Sequence, residues 1–183
     1  MTNTTPQPPR RSIPIGNAPP KAVDKAAERD AMRARYEAMP WRLDMLNAAP
    51  HRLGFFLAMV LLAVFAGWWA WAQIARAADL FQPAYAVPPT LLHSAMMVLG
   101  FMPLYFAGFL FTAGPKWLHV PAPETSDVSG MLLMQAAGWL LWLVGGHVVS
   151  VLALVGAFIA LLGLVWMFAL WWKLIRASKV QDQ

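Results

Sequence analysis

The sequence predicts an all-α membrane protein, a polytopic four-transmembrane-helix bundle with both termini in the cytoplasm. Hydrophobic residues make up 59% of its 183 residues and charged residues only 13%. A soluble domain carries about a quarter charged residues, so this composition is typical of a chain that crosses a membrane several times. The uncharged runs predict the number of spans, and the positions of Lys and Arg predict their orientation.

The chain begins with a polar segment that precedes any long apolar run. Residues 1–20 are rich in proline, which predicts a disordered tail. Residues 21–48 mix acidic and basic side chains, and opposite charges recur at helical spacing, as in Lys25 with Glu28 and Arg33 with Glu37. This spacing predicts a charged, amphipathic cytoplasmic helix.

The membrane domain is predicted over residues 49–176, followed by a C-terminal tail at 177–183. A helix needs about 20 apolar residues to cross a bilayer. The uncharged run from 130 to 172 is long enough for two such helices, and Gly145-Gly146-His147 is the turn expected between them. Four spans are therefore predicted, at residues 53–75, 90–113, 130–144 and 148–172.

The basic residues predict the orientation. With both termini inside, thirteen of the fourteen Lys and Arg lie on the cytoplasmic side and only Arg76 lies outside. The basic residues cluster in the N-terminal segment and at helix ends, which indicates attraction to anionic lipid. No basic patch with interleaved aromatic residues is present, so nucleic acid is not an expected partner. The expected partners are the lipid bilayer and either further copies of the chain or a larger membrane complex.

Four histidines are the main candidates for cofactor chemistry. The chain has no cysteine, which excludes disulfides, Cys-ligated iron–sulfur clusters, covalent c-type haem attachment and thiolate copper centres. The predicted topology places His51 and His119 at the inner level and His93 and His147 at the outer level. An ionisable residue within a span is a functional candidate, so His93 is the first residue to consider as a metal or haem ligand. The alternative for His93 is a hydrogen bond to a neighbouring helix or to lipid.

One helix face extends from His93. At 100° per residue, His93, Met97, Gly100 and Ala107 share it, and their small side chains leave a shallow lane along the helix. A flat cofactor could lie in this lane with His93 as its axial ligand. Close approach of a neighbouring helix explains the small residues equally well. Pro103 is expected to bend this span.

The other histidines have both functional and structural explanations. His147 is a candidate second ligand, although a histidine in a turn is often exposed. His51 precedes Arg52 at the inner interface, where Arg52 suits a lipid headgroup or a haem propionate. His119 lies in a loop and is expected to be solvated.

Two segments together resemble the NnrS family of bacterial membrane proteins. The first is Ala49-Pro50-His51-Arg52, followed by Phe55-Phe56 and the Trp68-Trp69 pair. The second is Leu92-His93, then Gly100, then GFLFTA at residues 108–113 with Pro115 and Trp117. The resemblance is carried by residues 49–120 and is hydropathic beyond them.

The resemblance implies a place in the inner membrane, haem binding and a role linked to nitric oxide and denitrification. His51 and His93 are the positions that match. Copper is also associated with the family, but the family's H-x-H-E-M pattern here has Ala95 and Met96 in place of its second histidine and its acid. Haem with His93 as a single axial ligand is therefore the preferred cofactor.

Other functions stay open at this point. The spans contain no paired carboxylates, and the sequence has no phosphate-binding glycine loop, H-E-x-x-H motif or nucleophile elbow, so no enzymatic reaction is indicated. One alternative is a structural or assembly subunit of a membrane complex, without a cofactor. Another is a small permeation unit, for which only His93, Thr112 and Gln135 could line a polar path.

Overall fold

The computed structural model of the protein describes residues 25–38, 42–81 and 83–178, and these residues form helices joined by short loops. Residues 1–20, for which a disordered tail is predicted, lie outside these ranges, as does most of the C-terminal tail. The helices are α1 (Lys25–Ala38), a 3₁₀ helix (Leu43–Ala48), α2 (Pro50–Ala77), α3 (Pro89–Ala95), a π-helical segment (Met96–Phe101), α4 (Met102–Trp117), α5 (Thr125–Val148) and α6 (Ser150–Ala177).

The charged segment before the membrane domain contains two separate helices. Helix α1 covers the centre of the predicted amphipathic helix and belongs to a unit of its own, Met1–Trp41. The 3₁₀ helix Leu43–Ala48 belongs to the second unit, Arg42–Gln183, together with α2 to α6.

Four helical segments are long and apolar enough to cross a bilayer, as predicted. They are Pro50–Ala77, Pro89–Trp117, Thr125–Val148 and Ser150–Ala177. The all-α, four-span prediction is confirmed for the part of the chain that the structure describes, while the cytoplasmic position of the termini stays a prediction.

The second span is a continuous helix with an irregular centre. It consists of α3, the π-helical segment Met96–Phe101 and α4, and the wide π turn ends just before Pro103. Proline has no N–H to donate to the carbonyl four residues earlier, and its ring crowds that carbonyl. A wider turn relieves both problems. π-helical segments often occur at functional sites, and this one begins three residues after His93.

The turn predicted at Gly145-Gly146-His147 is wrong. These residues are the last turn of α5, and the chain reverses at Val149, whose backbone is extended. Both glycines are used for packing, because a Cβ at Gly145 would meet the backbone of Ala153 and one at Gly146 would meet the side chain of Leu92. The predicted spans are also shorter than the observed helices. In particular, the second span, predicted to end at residue 113, continues through Gly114 and Pro115 to Trp117.

Glycines bring the helix backbones of the bundle close together. Helices α5 and α6 are in direct contact at Gly138 and Gly156, because a Cβ on either glycine would meet the backbone of the facing helix. Gly54 and Gly108 join α2 to α4 in the same way, since a Cβ on Gly54 would lie 2.7 Å from the Cα of Gly108. Small residues at helix contacts are typical of membrane proteins, where van der Waals packing drives helix association.

We expect Gly156→Ala to destabilise the bundle by about 1–3 kcal/mol, since a methyl group there meets backbone that cannot move alone. Gly67→Ala is the control, because a Cβ at Gly67 meets nothing within 4 Å. Thermal unfolding in detergent, followed by circular dichroism, compares the two. Equal unfolding temperatures would show that α5 and α6 do not pack in this way.

Candidate functional site

Two histidines and three other aromatic side chains meet at the end of the bundle where α5 turns into α6. Trp68 and Trp69 come from the last third of α2, Tyr85 from the loop before α3, His93 from α3 and His147 from the end of α5. We call these five residues the histidine–indole cluster. The structure therefore brings His93 and His147, predicted to share one level, to the same group of aromatic rings.

His93 lies flat against Trp69. The two ring centroids are 4.3 Å apart and the planes differ by only 9°, so the indole face fixes the orientation of the imidazole. The Nδ1 atom of His93 is buried and has no hydrogen-bond partner among the described residues. A buried polar atom left unpaired costs about 1–3 kcal/mol, and a ligand that reached this nitrogen would remove that cost.

His147 has both ring nitrogens engaged. The indole N–H of Trp68 donates to Nε2 at 2.8 Å, and Nδ1 lies 3.0 Å from the carbonyl oxygen of Ala84. An indole N–H can only donate and a carbonyl can only accept, so the imidazole is neutral with its proton on Nδ1. A metal-ligating histidine also commonly donates one N–H to a backbone carbonyl, but here Trp68 occupies the remaining lone pair.

Backbone hydrogen bonds hold the loop before α3 against the end of α5. The N–H groups of Ala86 and Val87 donate to the carbonyl of Gly146, at 2.7 and 3.1 Å. That carbonyl lies in the last turn of α5, where no further turn of the helix is present to bond it. Together with the Ala84–His147 bond, these contacts place Tyr85 5.0 Å from His147, measured between ring centroids.

His51 and Arg52 lie at the opposite end of the bundle. His51 opens α2, eighteen residues before Trp69, which is about 27 Å along a helix. Its Nδ1 lies 3.4 Å from the hydroxyl oxygen of Thr112, and that hydroxyl donates to the carbonyl of Gly108. Arg52 donates to the carbonyl of Met45 at 3.4 Å. The structure thus separates these two predicted site residues from His93.

The lane proposed beside His93 is filled by neighbouring helices. A Cβ at Gly100 would lie 2.9 Å from Phe65 and 3.2 Å from Trp139, and Ala107 is buried in the core. The small residues therefore serve helix packing, and the interpretation as a cofactor lane is wrong. A cofactor held by His93 has to lie near the histidine–indole cluster itself.

The sequence analysis missed the roles of Trp68, Trp69 and Tyr85. Tryptophans near a helix end are expected in any interfacial aromatic belt, so they do not single themselves out. The observation that could have indicated the roles of Trp68 and Trp69 was that α2 ends at the same level as His93 and His147. His119 is exposed, as predicted, and its Nδ1 lies 3.1 Å from the carbonyl oxygen of Trp117.

The three residues considered for a polar path are far apart in the fold. Thr112 bonds at the His51 end, and His93 belongs to the histidine–indole cluster. Gln135 is buried in the middle of α5 and lines an apolar cavity of about 150 Å³ with Trp139 and residues of α6. No contact joins the three among the described residues.

The donor set is limited to single histidines. Within the ranges that the structure describes, no three His, Asp or Glu side chains are close enough to hold a metal ion. A bare ion commonly needs three or more protein ligands, whereas haem brings four nitrogens of its own and needs one axial histidine. His93, with an unpaired nitrogen, fits the axial role.

Fold and site together define a multi-pass membrane protein with a histidine cluster near one end of its bundle. The model of the family described as NnrS protein matches residues 45–183. The chain therefore belongs to the NnrS family, and the match includes α5 and α6, beyond the residues that carry the resemblance in the sequence. No curated protein and no solved structure gives a significant match to the chain.

We expect Trp68→Phe to destabilise the protein by about 1 kcal/mol, because Nε2 of His147 loses its hydrogen-bond donor while the ring packing is largely kept. Trp71→Phe is the matched control, since Trp71 lies on the same helix and is exposed. Thermal unfolding in detergent measures the difference. Nitrogen-15 NMR of His147 reports the tautomer, and a proton on Nε2 in the unmodified protein would contradict this arrangement.

Proposed function

We propose that this member of the NnrS family binds haem at the histidine–indole cluster in the bacterial inner membrane, and acts in the response to nitric oxide or in denitrification. The observation that carries the proposal is the buried, unpaired Nδ1 of His93. Of the four histidines, His93 alone forms no hydrogen bond within the described residues. The hydrogen bonds among the described residues therefore do not use this imidazole.

Stacking on Trp69 would favour binding of a haem iron by His93. Face-to-face stacking restricts rotation of the imidazole, so less conformational entropy is lost when a ligand binds. The neutral imidazole is the form that binds a metal. When bound, haem held by one histidine supplies an iron with an open position for a small gas such as nitric oxide.

His147 would be a second residue to hold the haem, or would control access to it. Its Nδ1 proton is already committed to the carbonyl of Ala84, which leaves Nε2 as the only lone pair that could bind. Trp68 covers that lone pair, and rotation of the indole would uncover it. His51 and Arg52, at the opposite end of the bundle, do not contribute to a site at His93.

Copper without haem is less well supported. The described residues bring together no group of three His, Asp or Glu side chains. The family pattern has lost its second histidine at Ala95, so His93 stands without a neighbouring ligand on its own helix. Haem iron is already bound by porphyrin nitrogens, so it does not need a group of three protein ligands.

The purified protein is expected to show a Soret band. His93→Ala is expected to lower haem affinity by more than about tenfold, because losing only the hydrogen-bonding partner of a metal ligand already lowers metal affinity by about 10–100-fold. His119→Ala is the control, because His119 lies at the opposite end and bonds to the carbonyl of Trp117. Haem content per chain and the oxidised-minus-reduced spectrum are the measurements. Added imidazole should restore the band in the folded His93→Ala protein.

The same experiment tests the competing function. A colourless protein that co-purifies with a larger assembly would favour a structural or assembly subunit without cofactor. An unchanged spectrum in His93→Ala, with loss of the band in His51→Ala, would place the haem at the opposite end of the bundle.

A further inference from the structure

A cavity of about 480 Å³ opens at the end of the bundle opposite the histidine–indole cluster. The first turn of α5, the last turns of α6 and the loop after α4 form its walls. Ser126, Asp127 and Lys173 provide its polar part, while Phe111, Trp166 and Leu170 are among its apolar residues. It is separate from the proposed haem site and shares no residue with it.

The polar and apolar parts of the cavity lie one after the other along the membrane normal. Trp166 precedes Lys173 on α6 by seven residues, which is two helical turns or about 10 Å. Seven residues return to nearly the same face, so the two side chains lie one above the other. The cavity therefore extends from the membrane surface into the hydrocarbon, and a matching ligand has a charged head and an apolar tail.

The cavity is lined by one negative and one positive side chain, and the two do not form an ion pair with each other. Lys173 and Asp127 both line it, and neither takes part in an ion pair within the described residues. Asp127 uses one oxygen, Oδ2, to accept the backbone N–H of Glu124 at 2.9 Å. Its other oxygen and the ammonium group of Lys173 remain available to a ligand that carries both signs of charge.

The charged groups that line the cavity favour a ligand with no net charge. They are one carboxylate, from Asp127, and one ammonium group, from Lys173. The capping box also satisfies backbone N–H groups at the start of α5, which reduces the attraction of that helix end for a free phosphate. A zwitterion, with its cationic part near Asp127, suits these charges better than an anion.

We propose that this cavity binds a zwitterionic phospholipid with a primary ammonium group, phosphatidylethanolamine. Its phosphate pairs with Lys173, its ammonium group donates to Asp127, and an acyl chain packs along Trp166 and Leu170. A choline headgroup has no N–H to donate to the carboxylate, and a glycerol headgroup leaves the lipid with a net negative charge.

Native mass spectrometry of the detergent-purified full chain tests the proposal, with ethanolamine, choline and glycerol phospholipids of identical acyl chains in equal amounts. Ethanolamine lipid is expected to bind about threefold to fivefold more tightly than choline lipid, the scale of an exposed ion pair. Asp127→Asn should abolish this preference while keeping an oxygen for the helix cap. Lys173→Gln should weaken binding of all three lipids, and Lys173→Arg should retain it.

Arg176→Gln is the matched control, because Arg176 lies one turn from Lys173 but stacks on Trp172 and does not line the cavity. It should leave the lipid preference unchanged, and circular dichroism should show that every variant is folded. Equal binding of the three lipids would mean that only general annular lipid is present. Preferred binding of the glycerol lipid would identify a simple anion site at Lys173. Either result would overturn the proposal.

Discussion

Direct contact between helix backbones at glycine residues is the constraint on which this bundle depends. Lipid tails are as apolar as leucine, so helices in a bilayer gain little from burying apolar surface against one another. When two helices approach closely, dispersion contacts between them supply the stabilisation that burial of apolar surface does not. Gly138 and Gly156 allow it between α5 and α6, and Gly54 and Gly108 allow it between α2 and α4. These contacts fix the positions of α2 and α5, the helices that supply Trp68, Trp69 and His147.

Another glycine, Gly146, determines how the histidine–indole cluster is assembled. Gly146 accepts Leu92 against its backbone, and its carbonyl receives two N–H groups from the loop before α3. This loop then offers the carbonyl of Ala84 to His147, which sets the tautomer of that histidine. The two histidines consequently differ in availability. The hydrogen bonds of His147 connect three segments, whereas His93 stacks on Trp69 and its Nδ1 has no partner among the described residues.

The two ends of the bundle have different chemistry. One end contains imidazole and indole rings with few formal charges, which suits a neutral ligand to a cofactor. The other end combines the capped start of α5, Lys173 and the His51–Thr112 contact. The proposed lipid site and the proposed haem site therefore share no residue, and changes at one end can be tested without altering the other.

Composition and hydropathy were enough to determine the all-α class and the four spans, because only helices with internally bonded backbones can cross a bilayer in this way. The level of each histidine also followed, since it depends only on position along a span. The tertiary structure alone decided the turn at Val149, because the run from 130 to 172 contains no charge to mark a break. It alone decided that Gly100 faces Phe65 and Trp139, since a small residue fits a cofactor and a helix equally well. It also decided that Trp68 covers His147 while Trp69 stacks on His93, because such contacts depend on how neighbouring helices are rotated.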